Sequence, residues 1–273
     1  MGNRSKFAGG DQNYLRDEQY RDATLLAKRA RLHKEFNTAE VGWFDWVAEW
    51  FDLQPGQSIL ECGCGAGWLW EETSIDIPTG VSITFTDLSE GMVAEATSRV
   101  ASLGLFADVA GQAADLQALP FESGTFDRVV ANHMLYHLPD PETGVAELAR
   151  VIRSDGVVVA ATNGSHHMRE LWSIRAEVFG MAPVDNTLDV FGADVGFPVL
   201  RRHFADVRWE HYEDSLRVSD NQAVLDYLCS TPPGETADQG QLDDLTNLID
   251  AAFVDGHMHI TKDVGVFTCR SPR

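Results

Sequence analysis

The stretch Glu61-Cys62-Gly63-Cys64-Gly65-Ala66-Gly67 follows directly on Ser58-Ile59-Leu60 and precedes Trp68-Leu69-Trp70. The apolar run Ser58 to Cys62, bounded by a Pro55-Gly56 turn and by the glycines, reads as a short buried strand. Trp68 to Ile75 reads as a helix, so the glycines join a strand to a helix. Glycine lets a backbone approach a ligand closely, and a helix N-terminus offers exposed N–H donors and a partial positive charge. An ordinary βα turn does not require three glycines in five residues. In open α/β sheets, ligands sit at the carboxyl ends of strands beside such a turn.

Moving outward, Val81 to Asp87 reads as a second strand, and Ser89 can cap a helix from Gly91 to Leu103. Asp108 to Gln112 is a weak third strand and Phe126 to Asn132 a strong fourth. A helix from Glu142 to Ile152 leads to a fifth strand, Val157 to Thr162. This alternation is the signature of right-handed βαβ units on a parallel sheet, an α/β fold with helices on both faces. Upstream, Tyr14 to Phe36 has a helical pattern rich in Arg and Lys, read as a solvated face. Trp43, Trp46 and Trp50 share one helical face, read as core. Downstream, helices are expected over His166–Phe179, Ser219–Cys229 and Leu242–Phe253, with loop and short helix over Ala182–Phe204. Late strands are expected over Val207–Val218 and Ile260–Cys269.

The glycine spacing constrains the ligand. A dinucleotide fingerprint is G-x-G-x-x-G, whereas Gly67 comes one position early. Asp87 ends the next strand, and a carboxylate there can accept both hydroxyls of a ribose. An adenosine-containing ligand is therefore favoured over a full dinucleotide.

E-C-G-C-G-A-G at 61–67, T-D-L-S-E-G-M around Asp87, A-A-D-L-Q-A-L-P-F at 113–121 and F-D-R-V-V-A-N-H at 126–133 together resemble class I S-adenosylmethionine-dependent methyltransferases of the small-molecule subgroup. The resemblance covers about residues 40–163 strongly. It implies a Rossmann-like seven-stranded sheet whose last strand is antiparallel, with the two late strands as the sixth and seventh. It divides the chain into a helical lid (1–52), a cofactor core (53–165) and an acceptor-pocket insert with the closing strands (166–273). It also implies S-adenosyl-L-methionine as cofactor. Gly63, Gly65 and Gly67 would face its methionine part, with Glu61 at the acidic position opening the motif. Asp87 would hold the ribose, and Leu88 and Met92 would lie against adenine. Asp115, between Ala114 and Leu116, would accept the adenine amino group. Asn132 and His133 would approach the methionine end.

Four histidines, His133, His137, His166 and His167, follow the fourth and fifth strands. Met134 replaces the glutamate of H-E-x-x-H, and the strand-four edge offers Asn132 and His133 rather than carboxylates, so no metal is expected. Tyr14, Tyr20 and His137 are the candidates to contact a methyl acceptor. The insert with Trp172, Phe179, Phe191 and Phe197 suits a small or mid-sized organic acceptor.

Composition narrows the partners. The 273 residues carry 21 Lys+Arg against 42 Asp+Glu, a formal charge of -21. Nucleic acid and anionic membrane are thereby disfavoured as partners. No apolar run approaches the roughly 18–20 residues of a membrane span, and the polar segment 1–11 has no signal-like apolar stretch. The four cysteines, Cys62, Cys64, Cys229 and Cys269, form neither a disulfide framework nor a zinc motif, which fits a reduced, cytoplasmic protein. Homo-oligomer formation is compatible with this composition. Arginine in place of lysine, with only four lysines, suits a high-GC bacterium and secondary metabolism, such as N- or O-methylation of an amino sugar or antibiotic precursor. The alternatives are an NAD-dependent oxidoreductase and a non-catalytic adenosylmethionine-binding protein.

Overall fold

The computed structural model describes residues 6–273. Three helices, α1 (Gln12–Tyr14), α2 (Thr24–Phe36) and α3 (Trp43–Glu49), precede the sheet. The strands β1 (Ser58–Cys62), β2 (Ser82–Asp87), β3 (Asp108–Ala113), β4 (Phe126–Asn132) and β5 (Ile152–Asn163) alternate with α4 (Trp68–Glu72), α5 (Glu90–Leu103) and α6 (Pro141–Val151). There follow α7 (Arg169–Phe179), α8 (Leu188–Phe191), α9 (Ala193–His203), β6 (Phe204–Tyr212) and β7 (Ser215–Val218). The chain then runs through α10 (Asn221–Leu228), α11 (Gln239–Ala252), β8 (Met258–Thr261) and β9 (Val264–Pro272).

Seven strands form one sheet in the order β3-β2-β1-β4-β5-β9-β6. The first five are parallel, and β9 runs antiparallel between β5 and β6. The order reverses at β1 and β4, which places the switch-point crevice at the glycine turn after β1. The central strands are apolar on both faces because helices cover both. Leu60, Val129, Val158 and Ala160 pack toward α6 and α9, while Ile59, Val130, Val159 and Val266 pack toward α3, α4 and α5.

Each expected late strand is in fact two strands. The first breaks after Tyr212 and the second after Thr261, and the detached halves β7 and β8 pair with each other in a separate two-stranded sheet. Glu213-Asp214 and Lys262-Asp263 occupy the breaks. Lys262 Nζ lies 2.5 Å from Asp214 Oδ2, with both side chains buried. Asp214 Oδ1 also accepts from the backbone N–H groups of Thr38 (2.9 Å) and Ala39 (3.0 Å). One carboxylate therefore ties the exit of α2 to the point where β6 becomes β7.

The N-terminal helix is likewise interrupted. After α1 the chain makes a wide helical turn over Leu15–Gln19 and bends before α2 begins at Thr24. α2 packs on α10 and β7, and Leu32 joins a core with Leu171, Leu216, Val224 and Ile260. The segment before the sheet and the segment after β5 thus share one hydrophobic cluster over the glycine edge.

Removing the buried carboxylate should unsettle this cap. Breaking a buried ion pair from one side costs about 3–5 kcal/mol. Asp214→Ala should lose about that much in urea unfolding; Asp214→Asn also breaks the ion pair but keeps an oxygen for the two N–H bonds, and should lose less by the worth of those bonds. An Asp214→Ala protein as stable as wild type would show that the tie contributes nothing.

Candidate active site

A cavity of about 1060 Å³ opens at the carboxyl edge of the sheet, roofed by the N-terminal segment and α2. Its floor is the turn after β1. Gly63, Gly65 and Gly67 have φ of 64°, 52° and 77°, in the left-handed region that disfavours side chains. Their roles differ. A Cβ on Gly63 would meet the Met134 side chain at 2.7 Å, and one on Gly67 would meet the Ala96 backbone at 2.9 Å. Gly65 is the open one, with Leu26 of α2 at 3.5 Å. Gly63 and Gly65 line the cavity; Gly67 does not, and packs against α5 instead.

Asp87 faces this turn from the end of β2. Its Oδ2 accepts from the Gly65 N–H at 3.1 Å and its Oδ1 from the Ser89 N–H at 3.0 Å. Burial pushes its pKa up, and the two N–H donors oppose that. A carboxylate so placed has lone pairs left over and gains from further donors. Glu61 is 3% exposed and takes the Trp70 indole N–H at 2.6 Å. Burial pushes its pKa to about 8. At the end of β4, Asn132 Oδ1 is buried without a hydrogen-bond partner.

These features fit an adenosyl ligand. An acceptor-rich carboxylate meets hydroxyls, an unpaired amide oxygen meets an ammonium or N–H, and the Gly65 turn leaves room for a close approach. Leu88, Ala114 and Leu116 line the same wall. Two residues expected at the cofactor do not line the cavity. Met92 is fully buried under the helix start, where the Ser89 hydroxyl takes its N–H at 3.3 Å. Asp115 is outside the lining; it caps the turn Leu116–Ala118, with Oδ1 accepting the Gln117 N–H at 2.9 Å.

The acceptor candidates separate in the same way. Tyr14 does not line the cavity: its hydroxyl donates to Glu235 Oε2 at 2.6 Å and accepts from Gln19 Nε2 at 2.7 Å, a clasp between the N-terminal segment and the chain after α10. Tyr20 and His137 do line it, and they touch. Tyr20 Oη is 2.9 Å from His137 Nε2, and His137 Nδ1 is 2.8 Å from the Phe7 carbonyl. A carbonyl only accepts, so Nδ1 carries the proton, Nε2 is the acceptor, and the Tyr20 hydroxyl donates to it. Burial holds the His137 pKa down at about 4, which keeps the ring neutral. His133, at φ 54°, is likewise held at about 3 by burial.

Several lining residues carried no functional reading. Arg29, placed on a solvated face above, is 8% exposed and sits in register with Leu25, Leu26, Leu32 and Phe36. A cation within an apolar helical stripe was the available signal. Trp43, read as core, lines the cavity with its ring 5.3 Å from that of His133. His33, His167, Arg175, Asp185 and Tyr227 also line it, from α2 and from the region after β5. His166 is exposed and pairs with Asp263.

Sheet order and glycine turn together define a class I methyltransferase fold. Residues 60–160 match the family model described as a methyltransferase domain. The chain is 33% identical over 136 residues to the phosphatidylethanolamine N-methyltransferase of Cereibacter sphaeroides, covering 49% of this chain and 62% of that one. It is 32% identical over 117 residues to methyltransferase GfsG of Streptomyces halstedii, covering 41% and 40%. The chain spans about half the length of the curated relatives it matches. In fold it is similar to phosphoethanolamine N-methyltransferase 2 of Haemonchus contortus in complex with S-adenosyl-L-methionine, with TM-score 0.60, 19% identity, and 96% of this chain aligned to 60% of that one. The family match is thus to a methyltransferase domain over residues 60–160, set in a class I methyltransferase fold, and S-adenosyl-L-methionine is the cofactor of that class. Among the described residues, no helix is long and apolar enough to cross a membrane.

Calorimetry with adenosylhomocysteine checks the cofactor wall. Asp87→Ala should weaken binding by roughly 1.5–3 kcal/mol, the worth of hydrogen bonds to a charged group. Asp115→Ala should weaken it much less, because that carboxylate serves its own turn. Equal losses would return Asp115 to the site. Glu61 gives a pH test. Its folded pKa of about 8 lies above the ordinary 4.5, so between those values folding takes up a proton and stability falls as pH rises. From pH 5 to 8 wild type should lose stability relative to Glu61→Gln, at up to about 1.4 kcal/mol per unit. The two should converge below pH 4.5. Parallel pH profiles would mean that Glu61 is ionised in the fold.

Proposed function

We propose that this chain transfers the methyl group of S-adenosylmethionine to a nitrogen nucleophile of a small or mid-sized organic molecule. The observation that carries the reading is the Tyr20–His137 pair, set in the wall of the cavity that also holds Asp87 and Gly65. The proposed lid is residues 1–52, the cofactor core 53–165 and the acceptor region 166–273.

Bound S-adenosylmethionine supplies an electrophilic methyl on a sulfonium. The residues of this chain have the remaining work of aligning the acceptor, excluding water and placing a proton. Tyr20 donates its own proton to His137, so its oxygen is free to accept from an acceptor N–H. Such a contact aims the lone pair of an amine that arrives neutral, its proton already lost to solvent, and attack on the sulfonium methyl releases the product as an ammonium. An aliphatic hydroxyl would need a base stronger than a histidine held at about 4, so nitrogen is favoured over oxygen. The aromatic faces of Tyr136 and Tyr227 and the Asp185 carboxyl suit the cationic product of amine methylation. An amino sugar or antibiotic precursor is one acceptor of this kind. The dinucleotide alternative is not favoured by the family match, and NAD should bind far more weakly than adenosylhomocysteine. A non-catalytic binding protein would bind the cofactor and turn over nothing.

Radiolabelled S-adenosylmethionine with a panel of small primary and secondary amines tests the proposal. Tyr20→Phe should lower kcat by roughly 10²-fold or more, with cofactor affinity unchanged. His137→Ala should lower it less, because it removes only the partner that orients the hydroxyl. The acid limb of the pH–rate profile should follow the acceptor amine and not a group near 6.5, since His137 stays neutral down to about 4. Full activity in both variants, or turnover only with alcohols, would overturn the assignment.

A further inference from the structure

Arg29 and Arg175 are each more than nine-tenths buried and line the cavity. Neither forms an ion pair among the described residues. Arg29 Nη1 donates to Gln19 Oε1 and to the Ser230 carbonyl, both at 3.2 Å, but its Nη2 has no partner. Arg175 Nη2 donates to the Val184 carbonyl at 2.7 Å, but its Nε has none. Arg175 stacks on the Trp172 ring at 4.3 Å, and Trp172 lies 6.3 Å from Tyr227. Arg29 lies over the Tyr20 ring at 5.5 Å, beside the proposed methyl-acceptor contact. Both guanidiniums act electrostatically on Tyr227, as does Asp185.

Neither arginine has a carboxylate at ion-pair distance, whereas the other buried cation of the lining, Lys262, is matched by Asp214. The carboxyl beside Arg175 is Asp185, whose pKa is pushed up by burial and whose Oδ1 takes the Thr187 N–H at 2.9 Å; Asp87 and Glu61 line the cavity at the glycine turn and are held there by their own donors. A buried guanidinium with an unpaired N–H is costly, and a carboxylate or phosphate oxygen satisfies it with a charge-assisted bond. We propose that the acceptor also carries an oxyanion, a carboxylate or a phosphate, seated between Arg29 and Arg175 with its amine toward Tyr20. This rests on the methyl-transfer reading above and adds the substrate class: a small molecule bearing both an amine and an acid.

The test titrates the full chain, loaded with adenosylhomocysteine, with inorganic phosphate and separately with acetate at constant ionic strength, reading thermal stabilisation. One of the two should stabilise saturably. Arg175→Gln should weaken that effect by about tenfold or more, the scale of one charge-assisted contact. Arg175→Lys should recover part of it, and Arg208→Gln, an exposed arginine on β6, should leave it unchanged. Phosphate alone saturating would select a phosphate-bearing acceptor, acetate alone a carboxylate. Saturation by neither, or equal saturation in wild type and Arg175→Gln, would overturn the proposal. Adenosylhomocysteine binding is followed on the same samples. Its failure would overturn the methyl-transfer reading and leave the anion result readable on its own.

Discussion

Arg29 stands on α2 where the helical repeat requires an apolar side chain, and the roof of the cavity is organised around that exception. A guanidinium cannot lose its charge at physiological pH, so once buried it must be met by oxygen. The chain answers with the Gln19 side chain and the Ser230 carbonyl. Gln19 in turn holds Tyr14 and Glu235. The segment before α2 is thereby fixed to the chain after α10, two regions with no local reason to meet. Tyr20, one residue past Gln19, is then set against His137. The position of the proposed catalytic hydroxyl follows from the need to satisfy one buried cation some ten residues away.

A second consequence is that the cavity is polar without being basic. His33, His133, His137 and His167 all line it, and burial lowers the pKa of each. Neutral imidazoles there accept or donate single hydrogen bonds and exert no fixed charge. His167 illustrates this: its Nδ1 takes the Asp263 N–H at 3.3 Å, which leaves the proton on Nε2. The site therefore aligns more than it abstracts. Such a site suits a reaction whose electrophile is already strong and whose nucleophile, an amine that arrives neutral, needs its lone pair aimed.

The sequence was legible where one segment carries its own reason to fold. β1, β4 and the glycine turn are runs of apolar residues bounded by turn signals, and their limits were readable to within a residue. Asp87 was readable because its place at a strand end follows from the strand. The acceptor wall was not, because its residues come from four separated stretches that converge only in three dimensions. Trp43 shows the difficulty: one helical stripe of tryptophans serves both the core and the cavity, and periodicity does not tell the two apart. Asp115 shows the converse, since a carboxylate after a strand can serve a ligand or its own turn, and its Oδ1 takes the Gln117 N–H. The late strands could have been divided in advance. Paired charges at Glu213-Asp214 and Lys262-Asp263 interrupt both runs at matching places, and charges of opposite sign suggest that the breaks meet.

The chain's overall charge bears on how an acceptor would reach this site. A formal charge of -21 repels anions at long range and concentrates cations near the surface, an effect that salt screens within about 10 Å. A simple acid would approach against the field, and a simple amine would approach with it but find two arginines inside. A molecule with both groups carries little net charge, so the exterior neither attracts nor repels it strongly. Inside, the field is local. The oxyanion gains from two fixed guanidiniums, and its amine from aromatic faces and one carboxyl. Selectivity then comes from the interior, where the charges are buried and poorly screened, and the acidic exterior discourages acids that lack the amine.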